Sequence, residues 1–502
     1  MRFLAFALLL AVSARAGEPA RLIVLHTNDL HGQLDPLPKS PLRPVLRGRR
    51  AGGLAHLATM VRAIRKEATD TGAHVLLLDG GDLFQGTAVG NETRGMAVLD
   101  VMKEIGYDAA AVGNHEFDYG LENCLKLAKA SAFPLLCANA SGTSRPLDGI
   151  SSHVVFDAPR FPCRIAVIGL ITPKTPWVTT PGIEKHVKFA DPIPVARSLL
   201  SATDAHLKIL LTHIGRDGDA ELARACPGVD LIVGGHSHTG MGETVNGVPI
   251  VQTHGKGMTL GRVDLDLERG SWKVLRVSYR LIPVDPDATP PDAVVGERIR
   301  IHTHATRKKL ARKIGRLTAP LRRTRDFGAS SAGHWMADVI RDATGAEIGF
   351  MNKGGIRCDI EAGPITAADV YRIMPFDNTV VSMDLTGAQV RSIVRQALRP
   401  GRRYPGLDWS GILVDADREG TGIRPTRILV AGAELKNEAK YRVATNSFLG
   451  AGGDGFAQFK AGTAVTRHKT LLRDALASHL ETHTPYTPPS EDRLRVSESA
   501  SR

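Results

Sequence analysis

Five apolar runs in the first half of the chain end in, or run directly into, Asp, Asn or His: RLIVLHTNDLHG, HVLLLDGGDLFQG, YDAAAVGNHEFDYG, LKILLTHIG and VDLIVGGHSHTG. Each run reads as a buried β-strand, rich in leucine and β-branched residues and closed by glycine. A sheet that ends several strands on one edge brings such tips together in space. The tips carry Asp29, His31, Asp82, Asn114, His115, His213, His236 and His238. A convergence of hard oxygen and imidazole donors is what two divalent metal ions need, so the pattern constrains fold and chemistry together.

The donors suit that purpose one by one. Asp29 and His31 are two residues apart, and on an extended segment such side chains point the same way. Asp82 follows Gly80 and Gly81, which let the backbone turn sharply at a strand end, and a carboxylate there can bridge two ions. Asn114 offers a neutral carbonyl oxygen; His213 and His236 offer imidazoles, and His238 can complete the first ion's shell. Asp79 reads as a turn or supporting group rather than a ligand. The mixed oxygen and nitrogen set suits two divalent ions, Zn, Mn or similar, without choosing among them. Each position alone is commonplace; the ordered succession DxH, GGD, GNHE, TH and GGHSH is not.

Length and patterning divide the chain. At 502 residues it exceeds one ordinary core, so two domains are expected. From residues 20 to 290, strand-like runs alternate with helix-like stretches such as 53–68 and 122–130, which predicts an α/β domain. Residues 36–50 read as a long exposed loop on the ligand edge. Residues 291–314 have helical spacing with many basic groups and predict a linking helix. Residues 315–488 predict an α+β domain: helices at 333–344, 367–373 and 386–398, strands at 347–351 and 379–385. Residues 489–502 read as a polar tail.

The N-terminus, MRFLAFALLLAVSARAGEP, has a basic start, an apolar stretch and a small-residue site at Ala14-Arg15-Ala16. It predicts a secretory signal peptide over residues 1–16 and a periplasmic or secreted protein with no stable membrane anchor. Five cysteines, at 124, 137, 163, 226 and 358, leave at least one unpaired and show no CxxC spacing. The formal charge of +12 favours attraction of anions such as phosphate esters. Its clusters at residues 43–50, 307–316 and 399–403 lack aromatic interleaving, so a nucleic-acid partner is not expected.

The blocks HTNDLHG, GGDLFQGT, GNHEFDYG, THIG and GGHSHT resemble the calcineurin-like metallophosphoesterases. More closely they resemble the secreted 5′-nucleotidase family, with its UDP-sugar hydrolase and cyclic-phosphodiesterase relatives. The resemblance implies a four-layer α/β/β/α sandwich plus a C-terminal α+β substrate-binding domain. Carried over by position, it implies that Asp29, His31 and His238 hold one ion, that Asn114, His213 and His236 hold the other, and that Asp82 bridges them. Relatives often carry Gln or Asn where His238 stands. It also implies a catalytic pair: His115 reaches the phosphoryl group, and Asp118 fixes its tautomer and raises its pKa.

The second half contains MNKGGIRCD, MPFDNTVV and NSFLGAGGDGF. Arg357 can grip an anionic group bidentately. Phe376 and Phe448 are either core residues or two rings that hold a flat base, worth about 1–3 kcal/mol per base. Asp454 can accept hydrogen bonds from ribose hydroxyls. The resemblance favours the second reading and implies a nucleoside pocket lined by Asn352, Arg357, Phe376, Asn378, Phe448 and Asp454. One departure stands at the start of this domain: where the family has an Asn-Met-Gly-like block preceded by arginines, this chain reads TRDFGASSAGHWMAD, with Arg323 and Arg325 nearby.

The expected activity is hydrolysis of nucleoside 5′-monophosphates, with UDP-sugars as a further substrate class and small-molecule nucleotides as the partners. The nearest alternative is a 2′,3′-cyclic-nucleotide phosphodiesterase with 3′-nucleotidase activity, whose relatives lack the Asn before the first Asp and carry Asn in place of Asp118. A non-catalytic nucleotide-binding protein would be expected to have lost ligands or the His–Asp pair. HTNDLHG and Asp118 favour the first reading.

Overall fold

Along the first strand, Ala20–Thr27, successive side chains enter two different cores. Leu22 and Val24 join Leu76, Leu78, Ala109 and Ala111 against Ile165, Val167, Ile209 and Leu211 of a second sheet. Ile23 and Leu25 point the other way, onto helices Leu54–Thr71 and Met96–Ile105. The second sheet mirrors this: Ile168, Leu170, Leu210 and Ile232 turn outward onto helices Pro192–Ala202 and Arg216–Ala225. The layers therefore run α/β/β/α. Strands covered on both faces must be apolar at consecutive positions, which is why the runs show no alternation.

The computed structural model describes residues 18–42, 44–158, 161–324, 330–398, 406–419 and 422–497. The expected signal peptide, Arg43, Arg325 and the basic cluster at 399–403 lie outside the described residues. The first sheet has seven strands and the second six. Ala20–Thr27, His74–Asp79 and Ala109–Ala111 are mutually parallel in the first. Arg164–Ile171, Leu207–His213 and Leu231–Val233 are parallel in the second. Parallel strands deliver their C-terminal ends to one edge, and the two sheets stack with those edges together. The tips expected to carry metal ligands thus come from both sheets.

The basic helix spans Ala293–Leu310 and is capped by Asp292, whose carboxylate accepts the N–H groups of Val294 and Val295. The linking helix expected over 291–314 ends at Leu310. Val295 and Ile299 bury in the first domain's core, and Lys313–Leu317 is already a strand paired with Gly363–Thr366. The second domain is built on a five-stranded sheet. Helices Ser331–Asp342 and Leu472–Thr482 cover one face and Gly387–Leu398 the other. The expected polar tail also needs correcting. Leu494–Ser497 pairs in parallel with Ile412–Glu419, and Arg493 is held bidentately by Asp338. A polar edge strand satisfies its backbone on one side and needs no apolar run, so composition does not reveal it.

All five cysteines are free; four are buried and Cys358 is half-buried. The 36–50 loop is exposed for the most part but anchors Leu42 and Leu46 on Ala51 and Met258. No helix among the described residues is long and apolar enough to cross a membrane.

Candidate active site

The first strand ends at Thr27, and the chain then leaves extended geometry. Asp29 and His31 have φ of 52° and 48°. The expectation that they share a face of an extended segment is therefore wrong: left-handed turns aim both at the cluster. Asp82, His236 and His238 also have positive φ, at 58°, 77° and 51°. Non-glycine residues enter this region at a cost and concentrate at functional sites. Glycines make room beside them: a Cβ on Gly113 would stand 2.3 Å from Asp82 Oδ1, and one on Gly235 2.5 Å from the Gly80 carbonyl oxygen.

These turns bring together the seven residues expected as ligands. His238 Nε2 lies 3.0 Å from Asp29 Oδ1, and His31 Nε2 lies 3.7 Å from the same oxygen. His31 Nε2 and His238 Nε2 are 3.1 Å apart. On the other side, His213 Nε2 is 3.1 Å from Asp82 Oδ2, and His236 Nδ1 is 3.0 Å from Asn114 Oδ1. His31 Nε2 also lies 4.0 Å from Asp82 Oδ2, which places that oxygen between the two groups. Asp79 stands apart, accepting from Thr27 Oγ1 and the Gly81 N–H.

The donor set fits divalent cations. His31 Nδ1 donates to the Gln85 carbonyl and His213 Nδ1 to the Gly80 carbonyl, each at 2.7 Å, so both rings turn Nε2 inward. Asp29 Oδ2 accepts from Asn28 Nδ2 and the His236 N–H, while buried Oδ1 receives no well-directed hydrogen bond. Burial, then nearby cationic groups, hold His31 well below the ordinary histidine range; burial and His213 bring His236 down to about 4. His213 differs: burial opposes its charge, but Asp82 and Asp29 outweigh it and hold the ring up at about 10. A cation would replace that proton between His213 and Asp82.

His115 stands beside this cluster. Its Nδ1 lies 2.7 Å from Asp118 Oδ2 and its Nε2 3.9 Å from Asp82 Oδ2. Burial disfavours its charge, but the two carboxylates outweigh that and hold the imidazole above its ordinary value. A cavity of about 330 Å³ opens from the cluster and runs between the domains. All six residues expected to line a nucleoside pocket line it: Asn352, Arg357, Phe376, Asn378, Phe448 and Asp454. Asn446 Nδ2 donates to Asn352 Oδ1, and Asn352 Nδ2 donates to Asp454 Oδ2, both at 2.9 Å. Phe376 leans toward the metal side, its ring 5.9 Å from that of His115 and under the Arg357 guanidinium.

Residues 22–240 match the calcineurin-like phosphoesterase family and residues 313–461 the 5′-nucleotidase C-terminal domain. Protein UshA of Salmonella pullorum is 30% identical, over 96% of this chain and 97% of that protein. The chain belongs to this family of two-domain phosphoesterases. It is also 30% identical, over 87% of its length, to the Trifunctional nucleotide phosphoesterase protein YfkN of Bacillus subtilis, of which it spans 32%. The solved structure of a 5′-nucleotidase precursor from Thermus thermophilus superposes with a TM-score of 0.86 at 28% identity, over 95% of this chain and 99% of that one.

Two further residues of this phosphoesterase shape the site: Glu116, which did not stand out in the sequence, and Asn28, which did so only as a family marker. Glu116 is fully buried and accepts the N–H groups of Asp82, Leu83 and Gly113 at 3.0, 2.9 and 2.7 Å. Burial and the Asp82 charge push its carboxyl up to about 7. Asn28 clamps Asp29, since its Oδ1 accepts the Thr253 N–H while its Nδ2 donates to Asp29. Both lie inside the motif blocks, HTND and GNHE, where an acid or amide beside a ligand was the available signal.

Proposed function

We propose that this phosphoesterase hydrolyses nucleoside 5′-monophosphates to nucleoside and phosphate with the help of two divalent metal ions of the zinc or manganese kind. Asp29, His31 and His238 would hold one ion, Asn114, His213 and His236 the other, with Asp82 between them. The observation that carries the reading is the single cavity joining this donor cluster to Asn352, Arg357, Phe376, Asn378, Phe448 and Asp454. When bound, such ions would supply Lewis acidity toward a phosphoryl oxygen and lower the pKa of a water toward neutral pH. His115, whose proton affinity Asp118 and Asp82 raise against burial, can direct an N–H to where charge develops on the phosphoryl oxygens. Arg357 adds a cation on the same side. Phe376 and Phe448 offer aromatic faces for the base, and Asp454 and Asn352 offer polar groups for the ribose.

The division of labour follows the two domains: residues 20–290 carry the reacting groups and 315–488 the substrate contacts. The basic, apolar, small-residue order of residues 1–16 supports export to the periplasm or beyond. A panel of AMP, 3′-AMP, 2′,3′-cyclic AMP and UDP-glucose after metal reconstitution tests the reading. AMP should be the best monoester. Preference for the 3′ or cyclic esters would overturn it, and cleavage of UDP-glucose as well would extend the substrate range to nucleotide pyrophosphates.

A further inference from the structure

We propose that Thr179 is a positioning residue that fixes the His115–Asp118 pair for phosphoryl transfer, an inference that rests on the phosphoester-hydrolase reading of this site. Thr179 Oγ1 donates to Asp118 Oδ1 at 2.9 Å, while Asp118 Oδ2 faces His115 Nδ1 at 2.7 Å. A carboxylate held on one oxygen alone can turn about its own bond. One held on both oxygens, by donors from different segments, keeps its plane and so the direction of the imidazole it supports. Thr179 is buried, with 3% of its surface exposed, and meets Asp118 at the wall of the cavity.

The segment that carries Thr179 is itself tied to the site. Thr172 N–H donates to the carbonyl of the ligand-position residue His213 at 2.9 Å, and Thr175 Oγ1 donates to the Thr172 carbonyl. The Val178 carbonyl, next to Thr179, accepts from Asn114 Nδ2 at 3.0 Å. That contact decides which way the Asn114 amide faces and leaves its Oδ1 toward His236. Val178, Thr179, Thr180 and Pro181 then form part of the cavity wall, and the turn Thr175–Val178 packs against Gly453–Gly455, beside Asp454. One short segment therefore touches the metal-facing amide, the His–Asp pair and the substrate cavity. Within that segment, the hydroxyl of Thr179 makes the hydrogen bond to the pair.

The test compares Thr179→Val and Thr179→Ala, which remove the hydroxyl, with Thr179→Ser, which keeps it, each in the wild-type and His115→Ala backgrounds. Turnover of the metal-reconstituted full chain is read on p-nitrophenyl phosphate and on AMP in parallel, with bound divalent metal and thermal midpoint as controls. In the wild-type background, loss of the hydroxyl should lower kcat about tenfold, leave KM within twofold and keep the metal content unchanged. Thr179→Ser should restore turnover. With His115 removed, the same substitutions should change kcat less than twofold, because the group being positioned is gone. Equal losses in both backgrounds, wild-type kcat without the hydroxyl, or failure of serine to rescue would each overturn the proposal. Turnover of the aryl phosphate but not of AMP would sink the nucleotide reading alone and leave the Thr179 comparison intact.

Discussion

Arg357 Nη2 lies 3.2 Å from His31 Nε2, across the boundary between the two domains. His31 spends its Nδ1 proton on the Gln85 carbonyl, so Nε2 is the acceptor and the guanidinium the donor. The nitrogen that faces Asp29 and Asp82 is thus also touched by a cation from the substrate half. This contact joins the donor cluster to the GGIR segment and shows how closely the second domain presses on the first.

Arg357→Ala should therefore raise KM for AMP about tenfold or more, the scale of a charged hydrogen bond, without lowering divalent metal content. Removing a cation beside the cluster relieves repulsion toward a bound ion. Steady-state kinetics with metal analysis checks both halves; loss of metal on substitution would show that Arg357 supports the ligands instead.

His115→Ala should cost about 10²–10⁴ in kcat, and Asp82→Ala should abolish turnover together with metal retention. The measurement is phosphate release by purified variants whose thermal midpoints show them folded. Near-normal rates in either would refute the roles proposed for these residues.

Phe448 packs its ring over Gly453, close enough that a Cβ there would collide with it at 2.4 Å. Phe448→Ala should raise KM for AMP about tenfold, in line with loss of one base-stacking contact, while hydrolysis of p-nitrophenyl phosphate stays near wild type. Equal losses on both substrates would assign the ring a structural role.

Glu116→Ala should destabilise the fold by about 2–4 kcal/mol, because it strands three buried N–H groups at once. Since one of them belongs to Asp82, metal affinity should fall as well. Urea unfolding and metal titration measure the two effects; an unchanged midpoint would mean that the loop finds other acceptors.

His26 is buried with Nδ1 unpartnered, and burial lowers its pKa from 6.5 to about 3. A histidine that stays neutral in the folded state while the unfolded chain protonates loses stability for the fold as pH drops. The contribution is complete above pH 6.5 and erodes between there and about 3, the loss reaching about 2 kcal/mol at pH 5. His26→Leu should remove about that much of the loss in unfolding free energy, read by urea, between pH 7 and 5. An unchanged slope would place the acid sensitivity elsewhere.

The residues that converge in the candidate metal cluster were legible in the chain because they depend on short-range pattern. An apolar run marks a strand, its polar end marks the tip, and parallel strands carry their tips to a common edge. Local pattern likewise placed the helix at Ala367–Ile373, whereas the aromatic and polar residues around the cavity were expected from the family resemblance, the residues alone leaving Phe376 and Phe448 open between core and pocket. Other features depend on long-range packing, which a local pattern does not carry. The left-handed turns at Asp29, His31, Asp82, His236 and His238 occur where the tips of the two sheets meet, and no run of local sequence marks them. The Thr179 hydroxyl on Asp118 and the Arg357 contact with His31 join segments that lie 61 and 326 residues apart. The edge strand Leu494–Ser497 exists because Ile412–Glu419 offers it unpaired backbone groups. Sequence thus specified which chemical groups are supplied; the meeting of two sheets and two domains set where each one points, because orientation is fixed by neighbours that are distant along the chain.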